Sequence, residues 1–405
     1  MKPIALSALL GCTAAHADQA IPIPVATAKV AAFTHIGDLF WVANHISLLA
    51  IPAIFLFFGW SAGLRAKCSR LARKSWFWTV GFVAASYTFA TGLLLVPVSY
   101  VRFSLLNGYL PGPRQHSASQ WFIEQLGTVL AEAVAALIFA WIPYSLLSRS
   151  PRRWWLWSSV LLSPIVLFIL ILQPFWISPL SSQFTRLKDP AVIAEMTEMA
   201  ARCDVRNAEI FVGGDNYQVA GLGPTKRILI GAQYAEEFSP SQLRFLIGHE
   251  LGHNINGDNW QAWAAISLIL LAVFWMTDVF GNAAISRWQN RFSFSSLSDP
   301  ASLPLIVFFL SAFMTLSTPL NMLWSRHIEH EADRFGLELT HENHAAALMF
   351  AAFEQAYLES PDPGWFALAT RWNHPPLIER IPFANDYHPW LEGKPLKYGA
   401  ECKMP

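Results

Sequence analysis

Long apolar runs separated by short polar stretches dominate the chain. A helix needs about 20 mostly apolar residues to cross a bilayer. Six segments meet this requirement, at residues 39–59, 76–98, 128–147, 155–177, 263–281 and 303–323. The pattern therefore predicts a mostly α-helical, polytopic membrane protein with about six spans.

The more polar segments predict how the chain is divided. We expect a membrane region with four spans at residues 18–177, a first extramembrane part at 178–260, and a two-span insertion at 261–324. A second extramembrane part follows at 325–405. The extramembrane domain would thus be split by a pair of membrane helices.

The first seventeen residues are typical of a secretory signal peptide. Lys2 provides a basic start, residues 3–10 are largely apolar, and an A-x-A cleavage pattern ends at Ala17. A lipoprotein signal with Cys12 as the lipidated residue is an alternative reading, and an ordinary N-terminal tail is another.

Basic residues in the loops between spans predict the orientation, because cytoplasmic loops carry an excess of Lys and Arg. The other side offers only Lys29, Arg102 and Arg114. The first, third and fifth loops hold ten such residues, namely Arg65, Lys67, Arg70, Arg73, Lys74, Arg149, Arg152, Arg153, Arg287 and Arg291. We therefore expect both termini and both extramembrane parts outside the cytosol, on the periplasmic side of a bacterial inner membrane.

Composition agrees with a membrane protein. Hydrophobic residues make up 54% of the chain and charged residues 14%, whereas soluble proteins carry about 25% charged residues. The formal net charge is zero, so nothing indicates a nucleic-acid partner. The expected surroundings are a lipid bilayer.

The cysteines do not form a recognisable metal or redox motif, since none of the four is part of a C-x-x-C pattern. Cys203 and Cys402 could pair if both faced an oxidising compartment. Two separate thiols are equally compatible with the sequence.

The pattern with the clearest chemistry is H-E-x-x-H, formed by His249, Glu250 and His253. It lies on a predicted helix. Ser239 is a suitable N-cap that Gln242 completes as a capping box, and the Asn256-Gly257 pair is a plausible end.

Positions four residues apart share one helix face, so His249 and His253 can bind one ion. Zinc accepts such nitrogen ligands, and a catalytic zinc keeps three protein ligands and an open position for water. Glu250 projects beside that position and can act as the general base that activates the water.

A third ligand should lie downstream, and Glu329 is the candidate. Asp333 lies four residues later, on the same helix face, where it can accept the second N–H of a ligand histidine. Spacing alone leaves Glu331, His327 and His330 as alternatives.

Three further motifs extend the pattern. Asn216 begins a stretch that continues through residues 217–223 to Lys226-Arg227-Ile228. The second reads Ser325-Arg326-x-x-Glu329-x-x-Ala332-Asp333, and the third runs from His374-Pro-Pro to Arg380-Ile381. With H-E-x-x-H, they resemble the Ste24 type of CaaX prenyl endopeptidase in the M48 group of zinc peptidases, over about residues 39–385.

The resemblance implies a split α+β catalytic domain of the zincin (gluzincin) type and one zinc ion. It implies that His249, His253 and Glu329 are the zinc ligands and that Glu250 is the general base. Asp333 would orient a ligand histidine. By the same resemblance, His374 would stabilise the oxyanion, Arg380 would support the site by ion pairing, and Asn216 would lie on an edge strand that pairs with the substrate backbone.

The expected function is therefore membrane-embedded, zinc-dependent hydrolysis of peptide bonds in peptides or proteins, the substrates being membrane-associated. Two departures from the family argue against prenylated substrates. Four spans precede H-E-x-x-H here instead of five, which moves the catalytic side out of the cytosol, and Tyr217-Gln218 replaces the usual Ala-Tyr.

A catalytically silent membrane scaffold or quality-control factor on the same fold is an alternative function. Retention of Glu250 and of all three candidate ligands argues against it. A transporter would show broken helices and repeated halves, and no such repeat is visible.

Overall fold

The computed structural model describes residues 20–109, 117–176, 185–186, 190–205, 209–213, 218–220, 227–231 and 237–403. The predicted signal peptide and Asn216 lie outside these residues. Mostly helical structure is confirmed, since helices account for most of the described chain.

The first membrane region consists of helices that begin after the N-terminal segment. These are α1 (Ala28–Phe57), α2 (Trp60–Leu71), α3 (Trp76–Asn107), α4 (Ala118–Phe139), α5 (Trp141–Arg149) and α6 (Trp154–Trp176). α2 occupies the first loop, and α5 continues α4 after a single residue.

The second membrane region is a pair of much longer helices, α9 (Asp258–Phe292) and α10 (Leu303–Thr340). With 35 and 38 residues, both exceed the roughly 20 residues that a bilayer requires. Both extend beyond the predicted spans at residues 263–281 and 303–323, and α10 carries Glu329 and Asp333 on its extension.

Five stretches of described helix are long and apolar enough to cross a membrane: α1, α3, α4 with α5, α9, and α10 with the short turn before it. The fourth predicted span falls on α6, of which residues 154–170 qualify as a shorter apolar helix. A polytopic membrane fold is thus confirmed, and the number of six spans stays a prediction.

α6 runs antiparallel to α9. At one end the Trp154 indole N–H donates to the Asp278 carboxylate over 2.7 Å. Towards the other end the Trp263 indole N–H donates to the Ser163 carbonyl oxygen over 2.9 Å. α6 therefore returns the chain to the end of the bundle at which α9 begins.

Contacts between loops show which ends of the bundle lie together. At one end Arg65 of α2 forms an ion pair with Asp299, which precedes α10. At the opposite end the Ile21 amide donates to the Asn385 side-chain oxygen over 3.1 Å. The N-terminal segment and the C-terminal part of the chain are thus neighbours. The predicted four membrane spans before H-E-x-x-H would place both on the same side of the membrane.

The extramembrane part contains a small sheet and helices. Its described strands are β1 (Thr185–Arg186), β2 (Glu209–Val212), β3 (Gln218–Ala220) and β4 (Arg227–Ile230). They are arranged in the order β1-β2-β4-β3, with β2 and β4 parallel and the other two pairs antiparallel. In the described sheet β3 is an edge strand, and it lies against the helix that carries H-E-x-x-H.

That helix, α8 (Pro240–Asn256), is the centre of the extramembrane core. Against it pack α7 (Pro190–Arg202), the end of α10 and α11 (Asn343–Tyr357). α13 (Leu377–Asp386) joins the same core through α11 and α10, while α12 (Gly364–Thr370) lies against α10 and α1. Phe245, Leu251, Phe335 and Phe350 are fully buried where these helices meet, and hydrophobic burial of this kind is the main force that holds such a core together.

A disulfide between Cys203 and Cys402 joins the end of α7 to the C-terminal segment. The two residues are 199 positions apart in sequence and belong to different extramembrane parts. Of the two arrangements that the sequence allowed, the structure has the paired one. The bond therefore ties the two halves of the split domain directly to each other.

Loss of this disulfide should destabilise the protein. Removing a native disulfide that closes a long loop typically costs about 2–5 kcal/mol. We expect Cys402→Ser, or reduction of the wild type, to lower the melting temperature in detergent.

The matched control is the double variant Cys203→Ser/Cys402→Ser. It should melt close to the single variant and should not respond to reductant, because both changes remove the same bond. A wild type whose melting temperature does not change on reduction would contradict the expectation.

Candidate metal centre

The helix that presents H-E-x-x-H forms as its sequence predicts. The Ser239 hydroxyl oxygen accepts from the Gln242 amide, and the Gln242 side chain accepts in return from the Ser239 amide, which completes the capping box. The helix ends at Asn256, and Gly257 follows in the left-handed conformation with φ 68°. The predicted helix and its ends are confirmed.

α8 and α10 approach each other backbone to backbone at glycines. A Cβ added to Gly336 would lie 3.0 Å from the His249 amide nitrogen, and one added to Gly248 would lie 3.1 Å from the Gly336 Cα. A Cβ at Gly252 would meet Phe335 at 3.0 Å. The absence of side chains at these points lets the histidines of α8 reach the carboxylates of α10.

Donor atoms from three side chains converge between the two helices. The Nε2 atoms of His249 and His253 lie 3.1 Å apart. One carboxylate oxygen of Glu329 lies 3.3 Å from His249 Nε2, and the other lies 3.7 Å from His253 Nε2. Ligands placed tetrahedrally about 2.0–2.1 Å from a zinc ion are separated by about 3.3 Å, so this spacing suits zinc.

The second nitrogen of each ring is held by a carboxylate. His249 Nδ1 lies 2.9 Å from Asp333 Oδ1, and His253 Nδ1 lies 2.7 Å from Asp258 Oδ2. A carboxylate can only accept, so each Nδ1 carries the proton and donates. In a neutral ring Nε2 then presents a lone pair, so the two Nε2 atoms, 3.1 Å apart, can share a cation or a proton.

The charge around this point also favours a cation. Burial alone would lower the pKa of His249, but the facing carboxylates of Asp333 and Glu329 outweigh burial and raise it to about 10. Among the described residues, the buried Oε2 atom of Glu329 has no hydrogen-bond partner. The residues present therefore fit a zinc ion.

Glu250 lies beside the donor set, with one carboxylate oxygen 4.0 Å from His249 Nε2. Its side chain is buried. Burial raises its pKa, and the neighbouring histidines oppose that rise only in part. A raised pKa makes the carboxylate a better proton acceptor, as a general base requires.

Arg380 and His374 complete the surroundings. The Arg380 guanidinium donates two hydrogen bonds to Asp333, of 2.8 Å and 2.6 Å, and stacks over the Phe350 ring at 4.0 Å. His374 Nε2 lies 3.4 Å from Glu329 Oε2. Arg380 thus holds the Asp333 carboxylate, which in turn holds His249, and His374 lies beside the donor set through its contact with Glu329.

The three other candidates for the third ligand contact residues outside the donor set. Glu331 accepts hydrogen bonds from the Lys397 ammonium and the Tyr398 hydroxyl, of 2.6 Å and 2.7 Å. His330 contacts Arg334, and His327 lies against the Trp324 ring. The structure brings Glu329 to the two histidines.

Asp258 was not anticipated from the sequence. It is the first residue of α9 and follows the glycine that ends α8. An acidic residue five positions after the second histidine, directly beyond a left-handed turn, is the signal that could have identified it.

Comparison with known proteins identifies the family. The model of peptidase family M48 matches residues 186–387, which include most of both predicted extramembrane parts and the helix pair between them. The chain belongs to peptidase family M48.

Two similar proteins match along most of this chain, and both have names that describe proteases. An uncharacterised metalloprotease of Bacillus subtilis, YhfN, is 26% identical over 85% of this chain and 83% of its own length. CAAX prenyl protease 1 of Saccharomyces cerevisiae is 24% identical over 71% of this chain and 68% of its own length.

The fold is that of a solved family member. The crystal structure of S. mikatae Ste24p matches with a TM-score of 0.69 and 18% identity, over 88% of this chain and 89% of that one. The chain is thus a metalloendopeptidase of the Ste24 type in the M48 family and an integral membrane protein.

Asp258 should tune metal binding. Residues that hold a ligand histidine typically change metal affinity about 10–100-fold when they are lost. We expect Asp258→Asn to weaken zinc binding within this range, as measured by competition with a chelator.

The control is Asp278→Asn on the same helix, which contacts Trp154 and not the donor set. It should leave zinc affinity unchanged. Equal affinities in all three proteins would show that Asp258 does not act on the metal.

Proposed function

We propose that this chain hydrolyses peptide bonds with one zinc ion held by His249, His253 and Glu329. The observation that supports this most directly is the convergence of donor atoms from these three side chains at separations of 3.1–3.7 Å, with both histidines held by carboxylates through Nδ1. A bound zinc ion supplies Lewis-acid polarisation of the attacking water and of the scissile carbonyl.

Glu250 is the proposed general base. Its carboxylate takes a proton from the attacking water and then passes it to the leaving amine. Because Glu250 is buried beside the donor set, its pKa is raised, which favours uptake of the proton. The general-base role typically contributes about 10²–10⁴-fold to the rate.

His374 is the proposed donor to the carbonyl oxygen that gains negative charge during attack. Its Nε2 atom lies 3.4 Å from Glu329 Oε2, so the ring is next to the point at which the carbonyl would be polarised. A donor of this kind typically contributes about 2.7–4 kcal/mol.

Asp333, Arg380 and Asp258 hold this arrangement in place. Asp333 and Asp258 keep the Nδ1 protons of the two histidines, and Arg380 compensates the buried charge of Asp333. A buried carboxylate without such a partner would be strongly destabilising.

The proposed substrates are peptides or proteins that are exported or associated with the membrane. An edge strand beside α8 supports backbone pairing with an extended substrate, and β3 has this position in the described sheet. Asn216 lies just before β3, outside the described residues, and its role stays a prediction.

We propose that the catalytic side faces the periplasm of a bacterial inner membrane. The basic loops gather at the opposite end of the bundle, where Arg65 pairs with Asp299, as expected of the cytoplasmic side. The Cys203–Cys402 disulfide lies on the catalytic side, and disulfides persist in oxidising compartments. Prenylated proteins, which arise in the cytosol, are not the proposed substrates.

A Glu250→Gln change tests the mechanism. We expect about one zinc per chain in both the wild type and the variant, and peptide cleavage reduced at least about 100-fold in the variant. Zinc is quantified by elemental analysis, and cleavage is followed with a quenched fluorescent peptide.

Glu198→Gln is a matched control, because this carboxylate is 73% exposed and contacts Arg202 on α7. It should cleave at the wild-type rate. A wild type without zinc, or a Glu250→Gln protein that remains active, would refute the proposed function.

Cysteine labelling tests the orientation. In a Cys12→Ser/Cys68→Ser background, we expect an impermeant maleimide to label Leu391→Cys from outside spheroplasts and not Lys67→Cys. Both positions are exposed, so accessibility differs only by the side of the membrane. Labelling of Lys67→Cys alone would reverse the orientation.

A further inference from the structure

The loop that carries His374 is anchored to two different helices. This His374 loop comprises residues 371–376, between α12 and α13. From α10, the Arg326 guanidinium donates to the Leu368 carbonyl oxygen and, over 2.7 Å, to the Trp372 carbonyl oxygen. Arg326 is three residues before Glu329, so the loop is tied to the helix that supplies a proposed ligand.

The second anchor comes from α1, which belongs to the membrane bundle. The Arg371 guanidinium donates to Asp38 Oδ1 from Nη2 and Nε, over 2.6 Å and 3.2 Å. Its Nη2 also donates to the Thr34 carbonyl oxygen over 2.6 Å. Arg371 is the first residue of the His374 loop, so α1 fixes the point at which the loop leaves α12.

The backbone of α1 makes room for this contact. A Cβ added to Gly37 would lie 2.9 Å from the Arg371 Cζ atom. Trp41, one turn further along α1, packs edge-on against Phe366 of α12 with ring centroids 5.5 Å apart. The contact is therefore an extended and specific junction between α1 and the segment before His374.

The exposure of the junction argues against a purely stabilising role. The side chains of Arg371 and Asp38 are each 23% exposed, and both Gly37 and Arg371 line a cavity of about 340 Å³ between α1 and α3. Partly exposed ion pairs typically contribute only about 0–1 kcal/mol to stability. The main effect of the Arg371–Asp38 ion pair is therefore on the position of the His374 loop and not on the stability of the protein.

We propose that Asp38 is a positioning residue for peptide hydrolysis: it holds Arg371 and thereby places His374 beside the reacting carbonyl. The inference rests on the proposed function, in which His374 donates to that carbonyl. It assigns a role in catalysis to a residue of the first membrane helix.

The test measures kcat and KM separately for two independent disturbances of the junction. Asp38→Asn removes the charge, and Gly37→Ala displaces the Arg371 guanidinium without any change of charge. A misplacement of about 1 Å can cost about 100-fold in rate. We expect both variants to lower kcat about 10-fold or more, with KM and zinc content close to those of the wild type.

Each variant has a matched control at the other end of the bundle. Asp299→Asn removes the ion pair between α2 and the segment before α10, and a Cβ added to Gly63 meets nothing within 4 Å. Both Asp299→Asn and Gly63→Ala should retain the wild-type kcat. Equal losses in variants and controls, or an unchanged kcat in Asp38→Asn, would overturn the proposal.

A double-mutant cycle shows whether Asp38 acts through His374. In a His374→Ala background, Asp38→Asn should change kcat by less than about twofold, the usual error of additivity. The full 10-fold loss in that background would overturn the proposal. If the activity of His374→Ala is too low to measure, the cycle combines Asp38→Asn with Arg371→Gln. The double variant should then lose no more of kcat than the more damaging single variant.

These outcomes are distinct from failure of the proposed function. Zinc-free wild type, or an active Glu250→Gln protein, would refute zinc-dependent hydrolysis itself. Additive losses at Asp38 and His374, with zinc and the Glu250 dependence intact, would refute only the positioning role.

Discussion

The close packing of α8 against α10 is the contact on which the rest of the site depends. Because Gly248, Gly252 and Gly336 leave no side chains between the two helices, His249 reaches both Glu329 and Asp333 on the neighbouring helix. Larger side chains at these positions would separate the helices and disperse the donor atoms. Burial of Arg380 and Asp333 is tolerated because each charge faces a partner of opposite sign, which offsets the free-energy cost of removing it from water.

The site is continuous with the membrane region. α9 begins at Asp258, the partner of His253, and α10 carries Glu329 after its apolar stretch. Arg371 adds a third connection, to α1. Helix–helix contacts within the bundle, such as those of Trp154 and Trp263, therefore help to determine the relative positions of residues around the site. Such coupling would be weaker in a domain joined to its anchor by a flexible linker.

Local features could be predicted from residue spacing, whereas contacts between distant segments could be predicted only where the family resemblance implied them. The capping box of Ser239 and Gln242 depends only on neighbouring residues, so α8 and its ends were predicted correctly. By spacing alone Glu329 and Glu331 are equally good candidates; the family resemblance favoured Glu329, and in the structure the rotation of α10 against α8 separates them. The partners Asp38 and Arg371 are 333 positions apart, and no periodicity in either segment points to the other.

The disulfide connects the split of the domain with the compartment that the site faces. Cys203 belongs to the extramembrane part before the inserted helix pair, and Cys402 to the part after it. Without the bond, the two parts are joined covalently only through two long membrane helices, although they share one core. A disulfide that links the two parts directly can do so only in a compartment where it stays oxidised. The same side holds the N-terminal segment, through Ile21 and Asn385, which agrees with the proposed periplasmic site and with the predicted even number of preceding spans.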